Sequence, residues 1–196
     1  MIWIVVFLSV LAWSAYEPAD RITWWMEVIP ALLGFAILVM TRRLFPLTEL
    51  VYILILIHCI ILMVGGHYTY AEVPIGDWLR DLSGGDRNNY DKLGHLAQGF
   101  IPAMIAREII VRNGVVAVRG WLPFLVICIV LAISAFYELV EWWAALLSSE
   151  AAEAFLGTQG YVWDTQSDMM WAFSGAVLSL LTLSKLHDRQ IRSLVS

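Results

Sequence analysis

Two long, mostly apolar stretches, residues 47–65 and 121–147, constrain this chain more than any other feature. A helix needs roughly 20 mostly apolar residues to cross a hydrocarbon core of about 30 Å, and both stretches reach that length. Four others, 2–16, 24–40, 93–111 and 165–186, reach it in part. The first of these is short. It lacks the basic start of a signal peptide and is read as a span. The stretch 93–111 is the most polar, because it carries His95, Gln98, Arg107 and Glu108. With 60% apolar and 15% charged residues, the chain has too little polar surface to coat a water-soluble particle. That composition excludes a disordered chain, a disulfide scaffold and a nucleic-acid-binding tail, and it speaks against a soluble enzyme. The expectation is an all-α, polytopic membrane helix bundle of about six transmembrane helices. It forms one integral-membrane domain over residues 1–196, with the lipid bilayer as partner and no nucleic acid.

Basic residues set the expected orientation. Arg42, Arg43, Arg107, Arg112, Arg119, Lys185, Arg189 and Arg192 fall on one side of a six-span arrangement. The other side holds Arg21, Arg80, Arg87 and Lys92 among many acids, including Glu150 and Glu153. The first side is therefore expected to be cytoplasmic, with both termini there and with loops 66–90 and 148–163 facing outward. The longer loop has room for a short interfacial helix near Trp78. Trp24, Trp25, Trp78, Trp121, Trp142, Trp143 and Trp163 fall where an interfacial belt is expected. Cys59 and Cys128 lie inside spans as packing residues, with no disulfide expected.

Ionisable groups inside a bilayer are costly and point to function by default. At about 1.5 Å of rise per residue, several of them share one depth. His67 ends the third span at the outer face, and His95 lies about 6 Å below that face in the fourth. Glu138 and Glu141 lie roughly 26 and 30 Å up the fifth span from its inner end. Asp164 opens the sixth, with Asp168 about 6 Å below it. Asp91 and His95, Glu138 and Glu141, and Asp164 and Asp168 are each spaced to share a helix face. Carboxylates and imidazoles converging from several helices build metal sites in bundle proteins. The candidate metal ligands are thus His95, Glu138, Glu141, Asp164 and Asp168, supported by His67, Asp91, Tyr137 and Gln166. Without cysteine the divalent metal would be Mg, Mn, Ca or Zn.

Plainer roles stand beside these. Asp91 and Asp164 also suit helix N-termini, and Lys92 and Arg87 are placed to neutralise acids. His58, alone in mid-span, suits packing. Arg107 and Glu108 suit snorkelling at the inner interface. The sequence contains no H-E-x-x-H, G-x-S-x-G, P-loop or G-x-G-x-x-G motif, so no catalytic residue is assigned.

Several runs resemble the YjdF-type bacterial inner-membrane proteins: GGHYTYAEVP at 65–74, DKLGH at 91–95, ARE at 106–108, SAFYELVEW at 134–142, FLGTQG at 155–160 and WDTQSDM at 163–169. The resemblance covers nearly the whole chain and implies a bacterial plasma-membrane location, while supplying no reaction. The family pattern implies an acid at the position of Tyr161 and often Trp at that of Ser167, so this chain lacks one carboxylate. Asp91, Lys92 and His95 also resemble the D-K-x-x-H element of VanZ-like membrane proteins, which implies an envelope role. Three readings stay open at this point. The chain is a structural or accessory envelope protein, a metal-dependent enzyme acting on an envelope lipid or lipid-linked precursor, or a proton- or ion-coupled transporter.

Overall fold

A computed structural model describes residues 2–147 and 159–195. The described residues fold into α1 (Ile2–Ala15), α2 (Arg21–Thr41), α3 (Glu49–Tyr68), α4 (Pro74–Ser83), α5 (Tyr90–Arg112), α6 (Leu122–Leu147) and α7 (Asp164–Val195). Short 3-10 turns at Tyr70–Glu72 and Arg119–Trp121 precede α4 and α6. No strand occurs among the described residues. The loop segment 148–163, with Glu150 and Glu153, lies largely outside them, as does most of the run at 155–160.

Four helical stretches are long and apolar enough to cross a membrane: α2, α3, Arg119–Leu146 and α7. Helix α1 is apolar but only 14 residues long. Helix α5 has 23 residues, about 34 Å of length, but is too polar to qualify on composition. The expected count of six therefore reduces to four on length and composition alone. The polarity of α5 follows from its place. It packs against α3, α6 and α7, so other helices cover it. One apolar core joins α1, α2, α3 and α5, around Phe7, Val28, Met63 and Met104. A second joins α5, α6 and α7, around Ala103, Val126, Val130 and Ala176.

Local chemistry sets the ends of the elements. Asp20 caps α2 by accepting the Thr23 backbone N–H at 2.7 Å. That bond holds the Asp20 carboxyl below its ordinary range, so the cap weakens only when pH falls through that lowered value. Thr69 ends α3 with φ of 61° and turns the chain so that Tyr70 enters the bundle. The Tyr70 ring lies where side chains of Gly65 and Gly94 would be, with Cβ positions 2.1 and 2.8 Å from ring carbons. Helix α4 occupies the place expected for a short helix near Trp78. Trp25, Trp78, Trp121, Trp142, Trp143 and Trp163 are exposed, as a belt requires. Trp24 departs from that expectation. It is buried, and its indole N–H donates to Ser14 Oγ at 3.2 Å, because α1 covers that face of α2.

The tightest helix contact is between α5 and α7. A Cβ on Gly99 would lie 1.8 Å from the Ala172 carbonyl oxygen, and one on Gly175 would lie 2.1 Å from that of Leu96. Small residues let backbones approach in membrane bundles, where packing rather than hydrophobic burial drives association. The obstacle on each side is backbone, which cannot swing away. Gly175→Val should therefore lower stability by at least about 1–3 kcal/mol, read as thermal unfolding of the purified protein. Gly34→Ala, whose Cβ meets nothing within 4 Å, should stay within about 0.5 kcal/mol of wild type or gain slightly.

Candidate functional site

At the end of the bundle that carries the 3-10 turn and α4, side chains from three helices meet in one polar cluster. Helix α5 contributes Asp91, Lys92 and His95. Helix α6 contributes Glu138 and Glu141, and α7 contributes Asp164 and Asp168. All seven are buried. The cluster divides into two halves by charge.

The half facing α7 is largely compensated by its own cations. Lys92 Nζ lies 2.6 Å from Asp168 Oδ1, 2.8 Å from Asp164 Oδ1 and 3.3 Å from Asp91 Oδ2. Arg87 Nη2 lies 2.7 Å from Asp164 and 3.2 Å from Asp91. Two cations thus serve three aspartates. Asn88 and Gln159 clasp the approaches to α5 and α7, the Asn88 N–H donating to Gln159 Oε1 and Gln159 Nε2 to the Asn88 carbonyl.

The half facing α6 and α2 has another composition. His95 Nε2 lies 3.3 Å from Asp91 Oδ1, so the ring N–H there donates to the carboxylate. The opposite nitrogen, Nδ1, faces Gln98 Oε1 at 3.0 Å and Glu138 Oε1 at 3.9 Å; an amide oxygen accepts, so Nδ1 donates there, and a metal ion would take the place of that proton. Glu138 Oε1 is buried and has no hydrogen-bond partner. One ligand atom each from His95, Glu138 and Glu141 lie within 4.8 Å of one another. Asp91, His95 and Asp168 form a second such group, but its aspartates are those that Lys92 engages. A carboxylate holding one imidazole nitrogen so that the other is presented is the usual outer shell of a histidine metal ligand.

Beside this half lies a cavity of about 150 Å³, lined in part by Glu27, Tyr70, Asp91, His95, Tyr137 and Glu141. No Lys or Arg is among its lining residues. Glu27, on α2, is buried and accepts the Tyr137 hydroxyl at 3.2 Å. Sequence reasoning passed over Glu27. The depth arithmetic reaches it, because it lies about 5 Å below Trp24, the outer start of its span.

The structure places two supporting residues elsewhere. The His67 ring packs at a tilt against Trp13, with centroids 4.4 Å apart, and its Nδ1 donates to the Ser14 carbonyl at 3.1 Å, on the face of α3 turned to α1. Gln166 is exposed. It lies two residues from both Asp164 and Asp168, a spacing that puts it on another side of the helix. Tyr137 and Asp91 do join the cluster, and Asp164 joins it as an ion-pair partner.

Snorkelling does not describe Arg107 and Glu108. Glu108 is fully buried. It accepts Thr48 Oγ1 at 2.7 Å and His187 Nε2 and Arg112 Nη1 at 2.9 Å each. Arg107 pairs with Asp188 and reaches His187 Nδ1 at 3.2 Å. This second network ties α3, α5 and α7 together at the opposite end. Its partners are far apart in sequence, so no local signal announces it.

Removing one partner from a buried ion pair is costly because the other charge stays desolvated. Lys92→Met should cost about 3–5 kcal/mol of stability, and adding Asp168→Asn should restore part of it, both measured as thermal unfolding.

Comparison with known proteins agrees with this architecture. A protein-family model described as "Predicted membrane protein (DUF2238)" matches residues 1–189. The chain is 51% identical to the inner membrane protein YjdF of Escherichia coli (strain K12), over 93% of this chain and 88% of that protein. No solved structure matches. With apolar helices of crossing length and similarity over nearly the whole sequence, this chain belongs to the DUF2238 family and is a multi-pass inner-membrane protein.

Proposed function

We propose that the chain is a single-domain bundle crossing the membrane six times, with α1 and α5 as the additional spans. Both termini are cytoplasmic, and His95, Glu138 and Glu141 hold a divalent cation just below the outer surface. Helix α5 crosses as a polar helix shielded by its neighbours, which is where polar residues are tolerated in membranes. Arg42, Arg43, Arg112, Arg119, Arg189 and Arg192 cluster toward the inner side, in keeping with the charge bias.

One observation carries the metal reading. Glu138 Oε1 is buried and unpartnered beside an oriented imidazole, while the available Lys and Arg are spent on the aspartate half. A buried carboxylate oxygen without a hydrogen bond is expensive. A shared divalent ion relieves that cost for Glu138 and Glu141 together. One imidazole and two carboxylates suit Zn²⁺ or Mn²⁺. Such an ion activates water or polarises a phosphoryl oxygen, and the cavity gives a polar substrate group access to it. Glu27 and Tyr137 face the cation across that cavity as a carboxylate and hydroxyl able to exchange a proton.

The structural reading fits the other half: Lys92, Arg87 and the three aspartates hold α5 against α7. Proton transport is less favoured. Below His58 the open space is lined by apolar side chains until Thr41 and Asn113 at its far end, which offers no continuous polar path.

Elemental analysis of the purified protein should find close to one equivalent of zinc or manganese. A His95→Ala, Glu138→Ala double variant should have lost it, and Asp168→Asn should have kept it. Negligible metal in wild type and double variant alike would end the metal reading and leave the structural one.

A further inference from the structure

The polar cavity does not end at its floor. Pro30, His58 and Leu62 line both that cavity and a larger groove of about 460 Å³ that continues toward the basic end of the bundle. The groove lies between α2 and α5, which both lean on α3. Its walls include Gly34, Ile37 and Leu38 of α2 and Ile105 and Ile109 of α5. From Pro30 to Thr41 it follows α2 for about 16 Å, close to half of a hydrocarbon core of about 30 Å. Ile37 and Ile109 are exposed at its mouth, so it opens sideways to the surroundings of the bundle. A prolyl residue on each flanking helix, Pro30 and Pro102, stands at the junction with the polar cavity. Each interrupts its helix ladder there.

From this geometry we infer that the groove seats one acyl chain of an outer-leaflet aminophospholipid, whose head enters the polar cavity. The occupant follows from how the two spaces join. A polar pocket lies under the outer surface, and an apolar slot of single-leaflet length runs inward from it. That is the outline of a lipid lying in its normal orientation. The cavity's lining acids, Glu27, Asp91 and Glu141, outnumber its two imidazoles, His58 and His95, and no Lys or Arg joins them. That favours a head carrying an ammonium group. The phosphate beside it then lies toward the His95–Glu138–Glu141 side. Assigning the head to the reactive site rests on the metal reading above. The seating of the tail does not, and a tail-borne label tests it separately from metal content.

Gly34 supplies the test. A Cβ there meets no atom within 4 Å, and Gly34 lines the groove, so Gly34→Leu projects into it from an open position. Ile109→Trp blocks it from the other wall. The protein is placed in nanodiscs with phosphatidylethanolamine bearing a diazirine near the end of one acyl chain. After irradiation, labelled residues are mapped by mass spectrometry. Label should concentrate on groove residues such as Ile105, and fall about tenfold in both blocking variants, as for the loss of some two buried methylenes. Leu181→Phe, on an exposed part of α7, should leave it unchanged. Phosphatidylglycerol with the same tail label should mark the groove less. Label spread evenly over exposed helix faces and indifferent to both blocking variants would overturn the seating. So would cross-links through the groove to a second copy of the chain. Equal groove labelling by both lipids would overturn the choice of head.

Discussion

Lys92 lies within 3.3 Å of aspartates from two helices, and much of the remaining arrangement follows from that contact. A buried ammonium needs several acceptors, and three buried aspartates need a cation. Satisfying both requires α5 and α7 to lie close, and Gly99 and Gly175 permit the backbone approach that this demands. With α5 fixed, Asp91 is held where it engages both Lys92 and His95. The imidazole is thereby aimed at Glu138 and Glu141, the acids that Lys92 and Arg87 do not serve. One half of the cluster is settled by protein charges, and the other holds two glutamates that Lys92 and Arg87 do not engage.

The sequence made some of this legible for stated reasons. Hydrocarbon thickness fixes helix length, so the apolar stretches around α2, α3, α6 and α7 could be read directly. Helical rise fixes depth, so His95, Glu138, Glu141 and Asp168 could be placed at one level before any coordinates. Depth carries no information about rotation around the helix axis. That is why His67, at the right level, instead faces α1, and why Gln166 points away from the acids flanking it. Glu27 was within reach of the same arithmetic but sits among apolar residues that draw the eye to the span as a whole. The Glu108–His187 pair joins residues of α5 and α7 far apart in the chain, and such a pairing emerges only from the fold.

Helix α5 shows how a membrane inverts the usual reading of polarity. It is the most enclosed of the long helices and carries polar clusters at both ends: Lys92 and His95 near one, Arg107 and Glu108 near the other. Lipid covers the apolar outer helices, and those helices cover α5. A hydropathy criterion alone passes over it for this reason. The gap between α5 and α2 is where that enclosure is incomplete, and it places an apolar slot directly under the acid-rich cavity.

In the proposed site one imidazole and two glutamates hold a divalent ion. Pulsed electron paramagnetic resonance of the protein loaded with one equivalent of Mn²⁺ tests it most directly. Hyperfine coupling to a single histidine nitrogen is the expected result. That coupling should vanish in His95→Gln, the bound-metal signal should be lost in Glu138→Gln, and both should survive in Asp168→Asn. A bound-manganese signal without nitrogen coupling, or one lost in Asp168→Asn and retained in Glu138→Gln, would contradict it.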